Sequence, residues 1–335
     1  NPPVIRHNDD LLPLPFRKLT PSETERFVME TMTKEQQRTF REEQELDYIY
    51  VVEDIGRFRA NAFVQRNGMS MVFRVIPNRL PTIDGLLLPS SIRRFLKMNN
   101  GLVLITGPTG SGKTTTLAAL INEINQNEHR HIITIEDPIE FVHQPVKSVI
   151  TQRQVGDHTT SFADALRSAL REAPDILMVG ELRDIETISL ALSAAETGIL
   201  VIGTLHTNTA SKAIHRIVDA LPDESRDQMR GVLSVLLRGV VAQRLCKKVG
   251  GTGRIAVLEI LLQNWAVSNM IRENKTHQME GYLQSVDYAS TGMMSMDSCI
   301  YNYIKDGLIT VEEGLKVTDR PREMKKRCAE LEEEE

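Results

Sequence analysis

The segment Gly107-Pro108-Thr109-Gly110-Ser111-Gly112-Lys113-Thr114 constrains this chain more than any other. Its spacing, a first glycine, four residues, then Gly-Lys-Thr, is that of a phosphate-binding loop, which works only between a strand and a helix. The apolar run Leu102 to Thr106 precedes it and the helix-compatible stretch Thr114 to Asn125 follows it. Backbone N–H groups would then curl around phosphate at a helix N-terminus. Lys113 would reach the β and γ phosphates of ATP, the Thr114 hydroxyl would take one position on Mg²⁺, and Thr115 completes the nucleotide-binding set.

Catalysis also needs a carboxylate near the γ phosphate. Ile176 to Val179 is an apolar strand followed by Gly180 and Glu181, the place of a Walker-B acid at the C-terminal edge of a parallel sheet. Gly180 stands where many such enzymes carry Asp, so no strand-end Asp ligates Mg²⁺ and Glu181 is a candidate partner of the metal or of the attacking water. A second strand pattern, Ile132 to Ile135, runs into the acidic turn Glu136-Asp137-Pro138-Ile139-Glu140. A third, Leu200 to Leu205, ends at His206, positioned to sense phosphate or to pass the nucleotide state onward. Helices are expected at about Thr114 to Asn125, Phe162 to Glu172, Asp184 to Thr197, Asp227 to Arg244, Met293 to Lys305 and Thr310 to Lys316. Strands alternating with helices imply an α/β fold with a mostly parallel sheet covered on both faces.

The 335 residues exceed one ordinary domain. Upstream, Leu46 to Asp54 and Arg57 to Ile76 read as a sheet, with Asn67-Gly68 placed for a type I′ turn. Thr20-Pro21-Ser22-Glu23 reads as a helix N-cap, and Phe27, Val28, Met32 and Phe40 mark helical stretches. Pro77, Pro81 and Pro89 around Asp84-Gly85 mark a linker, 78–89, between a small domain, 1–77, and a larger one, 90–335. In Arg57-Phe58-Arg59-Ala60-Asn61-Ala62 a period of two places the arginines on the face opposite Phe58, Ala60 and Ala62. The tail 329–335, ending in four glutamates, reads as a solvated end.

Other classes are excluded by simple arithmetic. Hydrophobic residues at 41% and charged residues at 25% rule out wholesale disorder. Three cysteines without a CxxC pair argue against a disulfide framework or a structural zinc and fit a reducing compartment. The apolar stretch Ile255 to Val267 is broken by Glu259, Gln263 and Asn264, and no run of about 18 apolar residues could span a bilayer. A net charge of -5 and 5% aromatic residues leave little for a nucleic-acid translocase, which stays as an alternative from another class. So does a nucleotide-sensing scaffold that binds ATP without hydrolysing it.

Four motifs in order carry a family resemblance: the loop Gly107 to Thr114, the box Thr134-Ile-Glu-Asp-Pro-Ile-Glu-Phe141, Val179-Gly-Glu-Leu-Arg-Asp184 and Gly203-Thr-Leu-His-Thr207. Together they resemble the secretion ATPases of type II secretion and type IV pili. Ala266-Val-Ser-Asn-Met-Ile-Arg-Glu273 is similar to the Ala-Ile-Arg-Asn-Leu-Ile-Arg-Glu signature of PilT-type pilus retraction ATPases, departing at Val267, Ser268 and Met270. The resemblance runs from about Pro2 to Leu308 and places the family's first strand before residue 1. It implies a PAS-like N-terminal domain, a RecA-like ATPase domain with a C-terminal helical segment, and a homohexamer at the cytoplasmic face of the inner membrane. There the ring would act on an inner-membrane platform protein and, through it, on the pilus. It also implies Arg59 and Arg74 as fingers reaching a neighbouring subunit's nucleotide, Glu140 as water-activating base, and a coupling role for residues 266–273. The alternatives inside the family are an accessory retraction ATPase and an extension ATPase, the latter disfavoured because three cysteines cannot form a four-Cys zinc module.

Overall fold

The computed structural model describes residues 2–7, 10–77, 79–251 and 253–334. The chain divides into two compact units, Asn1–Arg79 and Leu80–Glu335.

The first unit opens with an antiparallel pair, β1 (Val4–His7) and β2 (Asp10–Pro13). Helices α1 (Pro21–Glu30) and α2 (Lys34–Glu43) follow, then the antiparallel strands β3 (Glu45–Val52), β4 (Gly56–Gln65) and β5 (Gly68–Ile76), with β4 central. Helix α1 starts where Thr20 and Glu23 form a reciprocal capping box. Val28, Phe40, Tyr48, Ala60 and Ala62 make the buried core. Because Ala60 and Ala62 face inward, Arg57 and Arg59 lie on the opposite face, where Arg59 pairs directly with Arg74 of β5. The β4–β5 connection corrects one expectation. Its two loop residues are Arg66 and Asn67, neither with positive φ, and Gly68 takes φ +107° as the first residue of β5. The turn is therefore not a type I′ turn centred on Asn67-Gly68.

Of the expected linker, the residues from Leu80 onward belong to the second unit, where Ile83 and Leu88 are buried in the core. That unit continues through α3 (Arg93–Leu96), β6 (Gly101–Thr106), α4 (Lys113–Asn127), β7 (His131–Glu136), β8 (Val149–Gln154), α5 (Phe162–Ala169), β9 (Ile176–Val179) and α6 (Ile185–Glu196). Next come β10 (Leu200–Leu205), α7 (Ala210–Asp219), α8 (Arg226–Leu236), β11 (Leu237–Lys247) and β12 (Arg254–Leu262). Helices α9 (Trp265–Arg272), α10 (Met279–Ser285), α11 (Tyr288–Thr291), α12 (Met296–Lys305), α13 (Val311–Val317) and α14 (Pro321–Glu334) close it. The side chains of residues 331–335, including the final glutamates, lie outside the described residues.

Seven strands form one sheet in the order β12-β11-β6-β10-β9-β7-β8, all neighbours parallel except β11 and β12. The expected helix Asp227 to Arg244 is corrected: it ends at Leu236, and the residues after it form β11 between β6 and β12. Gly239-Val240-Val241 is poor helix sequence, and the backbone at Gly239 runs so close to the Phe95 ring that a Cβ there would meet it at 2.5 Å. A strand buried on both faces shows no alternation, so periodicity alone could not separate it from a helix. The signature segment forms α9 with Val267 and Ile271 fully buried. Its departure Ser268 is buried too, donating its hydroxyl to the carbonyl of Ser234 on α8 at 2.8 Å. Among the described residues, no helix is long and apolar enough to cross a membrane.

Candidate active site

Strand register fixes the geometry of the site. Thr106 pairs with Leu205, Gly203 with Val179, and Val179 with Ile135. The segments that follow β6, β7, β9 and β10 therefore emerge side by side at one carboxyl edge of a parallel sheet, the edge at which such sheets bind ligands.

The phosphate loop follows β6, whose residues are all buried. Gly112 is the N-cap of α4 at φ +87° and no side chain caps this helix, so its first N–H groups point into the loop. Gly107, at φ +151°, sits where a Cβ would come within 2.3 Å of the Gln243 carbonyl oxygen. Only glycine fits there. The Lys113 ammonium donates to the carbonyls of Gly107 at 2.8 Å and Pro108 at 3.2 Å. Burial lowers its pKa, and the charge of Glu181 acts the other way. Ser111 Oγ is buried with no hydrogen-bond partner among the described residues, an orphan that a phosphate oxygen would satisfy. With the uncapped helix and Lys113, this is a fit for nucleotide phosphates.

Facing the loop, Thr114, Glu136, Asp137, Glu140, Glu181 and Arg183 line one pocket. Glu136 is buried and accepts hydrogen bonds from the Thr134 hydroxyl at 2.6 Å and the Gln152 amide at 3.0 Å. Glu140 and Glu181 are half-buried. Glu181 lies 2.7 Å from Arg183 Nε and 3.4 Å from His206 Nε2, which brings the histidine of the third strand to the acid of the second. At Gly180 a Cβ would lie 3.1 Å from the Ile135 carbonyl and 3.4 Å from the Glu136 Cα. A side chain there would need the Ile135 and Glu136 backbone to give by a few tenths of an ångström, and Glu136 brings a carboxylate to the same pocket from β7. No group of three or more His, Cys, Asp or Glu side chains among the described residues forms a metal cage. Mg²⁺ binds through one or two protein oxygens and takes the rest from phosphates and water, and Thr114 and Glu181 supply the candidate oxygens here. Arg59 and Arg74 belong to the first unit and are not among the residues lining this pocket.

Arg183, Thr106 and Glu259 are among the residues around the site that sequence reasoning missed. Arg183 is visible in the motif but signals nothing until its ion pair is seen. Thr106 lies just before the loop, its Oγ 2.6 Å from the Thr207 carbonyl and accepting the Thr207 N–H at 3.0 Å. Glu259, on β12, is buried and accepts the first N–H of α7, that of Ala210, at 2.7 Å, fixing the helix that follows His206. Burial pushes its pKa up to about 7 against that hydrogen bond. The folded chain therefore holds the Glu259 proton more tightly than the unfolded chain. The resulting stability is fully present below about pH 4.5 and is lost as pH rises through about 7. Urea unfolding of wild type and Glu259→Gln at pH 5 and pH 8 should show a steeper loss in the wild type, by up to about 3 kcal/mol. Equal losses would remove this assignment.

Comparison with known proteins identifies the family. Residues 50–251 match the family model described as type II/IV secretion system protein. The chain is 46% identical over 310 residues to a twitching motility protein of Neisseria gonorrhoeae, covering 92% of this chain and 82% of that protein. It is 45% identical over 313 residues to the type IV pilus retraction ATPase PilT of Pseudomonas aeruginosa, covering 93% and 90%. A crystal structure of the pilus retraction motor PilT with bound ADP superposes with a TM-score of 0.87 at 45% identity, covering 97% of this chain and 92% of that one. Fold, motif order and likeness over nearly the full length converge, and the chain belongs to the type II/IV secretion system protein family as an ATPase of the PilT type.

Proposed function

We propose that this ATPase powers retraction of a type IV pilus, working as a homohexamer on the cytoplasmic side of the inner membrane against a platform protein of the pilus machine. The observation that carries the reading is the convergence of Thr114, Glu140 and Glu181 on one pocket beside the phosphate loop, with His206 against Glu181. ATP would lie with its β and γ phosphates on residues 107–113 and on the N-terminus of α4. Thr114 would hold Mg²⁺, whose charge offsets that of the phosphates, and Glu181 would be a partner of the metal or of the attacking water. Glu140 would orient and deprotonate the attacking water, Glu181 would set His206 according to the γ phosphate, and Arg59 and Arg74 of a neighbouring subunit would stabilise the transferring phosphoryl group. The segment 266–273 would pass the resulting motion to the pilus machine.

Positioning water matters more to the transition state than to the ground state. Glu140→Ala and Glu181→Ala should thus each bind ATP near normally and hydrolyse it slower by about a hundredfold or more, the range of a lost general base. Phosphate release at saturating ATP, with affinity measured separately, checks both. A variant that loses affinity instead of rate would take its acid out of the catalytic role. A pilus retraction assay in cells lacking their own motor tests the function as a whole.

A further inference from the structure

Strand β11 runs beside β6 in parallel, with Ala242 paired to Thr106, so the next residue, Gln243, stands level with the start of the phosphate loop. Its side chain is 2% exposed. The amide nitrogen donates to the Ser111 carbonyl at 2.6 Å, and the amide oxygen accepts the Thr116 hydroxyl of α4 at 2.8 Å. The same residue borders the loop at two glycines. A Cβ at Gly107 would meet the Gln243 carbonyl oxygen at 2.3 Å, and one at Gly112 would meet its amide nitrogen at 2.8 Å. Gln243 thus touches the beginning, the middle and the end of the loop, and the first turn of the helix behind it. Arg244 points the other way, to the Val317 carbonyl and both Asp319 carboxylate oxygens.

From these contacts we infer that Gln243 is a positioning residue that holds the phosphate loop in its curl and so sets nucleotide affinity. The inference rests on the reading of residues 107–114 as the nucleotide site. A primary amide suits the task because it donates at one end and accepts at the other, while the Ser111 carbonyl needs a donor and the Thr116 hydroxyl an acceptor. Burial excludes water as a substitute for either bond, so an apolar side chain leaves both groups unsatisfied. The loop can then satisfy the Ser111 carbonyl only by turning it toward solvent, which turns neighbouring N–H groups away from phosphate.

The test is binding of a fluorescent ADP analogue to the full chain, with thermal melting measured with and without nucleotide. Gln243→Leu should weaken binding at least tenfold and shrink the nucleotide-induced rise in Tm, whatever fall in the nucleotide-free Tm the unsatisfied groups cause. Arg244→Ala, on the same strand but facing away, should bind within threefold of wild type. Thr116→Val, which removes the partner of the amide oxygen and leaves β11 intact, should weaken binding at least threefold. It should add nothing further in combination with Gln243→Leu. If Gln243→Leu does not fold, Thr116→Val decides. Binding within threefold of wild type by Gln243→Leu, or by Thr116→Val in its place, overturns the inference, as does an equal loss in Arg244→Ala, which would mean general damage to the strand. Binding by Lys113→Ala equal to wild type is a different result: it overturns the reading of the loop itself.

Discussion

Lys113→Ala protein is expected to show no ATP turnover above background, a loss of at least about a thousandfold given what charge stabilisation of a transferring phosphoryl group supplies. The Lys113 ammonium rests on the Gly107 and Pro108 carbonyls, within the loop that would surround the phosphates. Burial makes the charge costly to hold, and Glu181 across the pocket offsets part of that cost. A phosphate chain would replace two neutral carbonyl acceptors with anionic ones, adding attraction between opposite charges to bonds that the ammonium already assists. Removing the ammonium takes away that gain where charge builds up in the transition state. Lys113→Gln, which keeps length and polarity without charge, should be as inactive. Phosphate release by purified protein decides the matter, and wild-type turnover in either variant would remove the loop from the mechanism.

Arg59→Ala should bind ATP near normally and hydrolyse it on the order of a thousandfold more slowly, the low end of what an arginine supplied in trans contributes. Within its own unit this arginine does little. Among the described residues its ion pair is to Asp47 at 3.9 Å, on the partly exposed face of the sheet, and it stands directly across from Arg74, a like charge. Exposed pairs of this kind contribute about 0.2–1 kcal/mol, and like charges facing across strands cost a similar amount. Stability should therefore barely move, and a large rate effect could not be charged to unfolding. If the finger acts between subunits, specific activity rises with protein concentration as the ring assembles. Mixing Arg59→Ala with Lys113→Ala should then restore part of the activity, since some interfaces pair an intact loop with an intact finger. Confirmed subunit exchange without recovery would return Arg59 to a solvated face.

What could be read beforehand follows from where the signals lie. The loop at Gly107 and strands β6, β9 and β10 are legible because each is a short apolar run ended by glycine, a carboxylate or histidine. The capping box at Thr20 and the inward alanines of β4 are equally local patterns. Strand β11 is not local in this sense. Its residues are buried on both sides by β6 and β12, and the decision between helix and strand is made by those neighbours. The site divides the same way. Lys113, Thr114, Glu140, Glu181 and His206 stand in recognisable motifs, and the sheet brings their segments to one edge. Gln243 and Glu259 act on segments far away in the chain, and their sequence trace is a polar residue beside the apolar run Val240 to Ala242 or within the run Ile255 to Leu262. Such a residue must find a partner when buried, and which partner it finds is a property of the sheet order.

The Thr106 hydroxyl, fastened to the backbone of Thr207 across 101 positions of sequence, leaves the two loops it joins without independent hinges. Leu205 is tied in the same way, its carbonyl accepting the Gly107 N–H at 3.3 Å. His206 sits between two anchored residues, with its own side chain exposed. Its remaining freedom is torsional, about its own χ angles. A rotamer flip of an exposed side chain takes picoseconds to nanoseconds, whereas loop rearrangement runs from nanoseconds to microseconds. On the proposed reading of His206, the signal would then be a side-chain rotation against a fixed backbone, faster than any rearrangement of the two loops themselves.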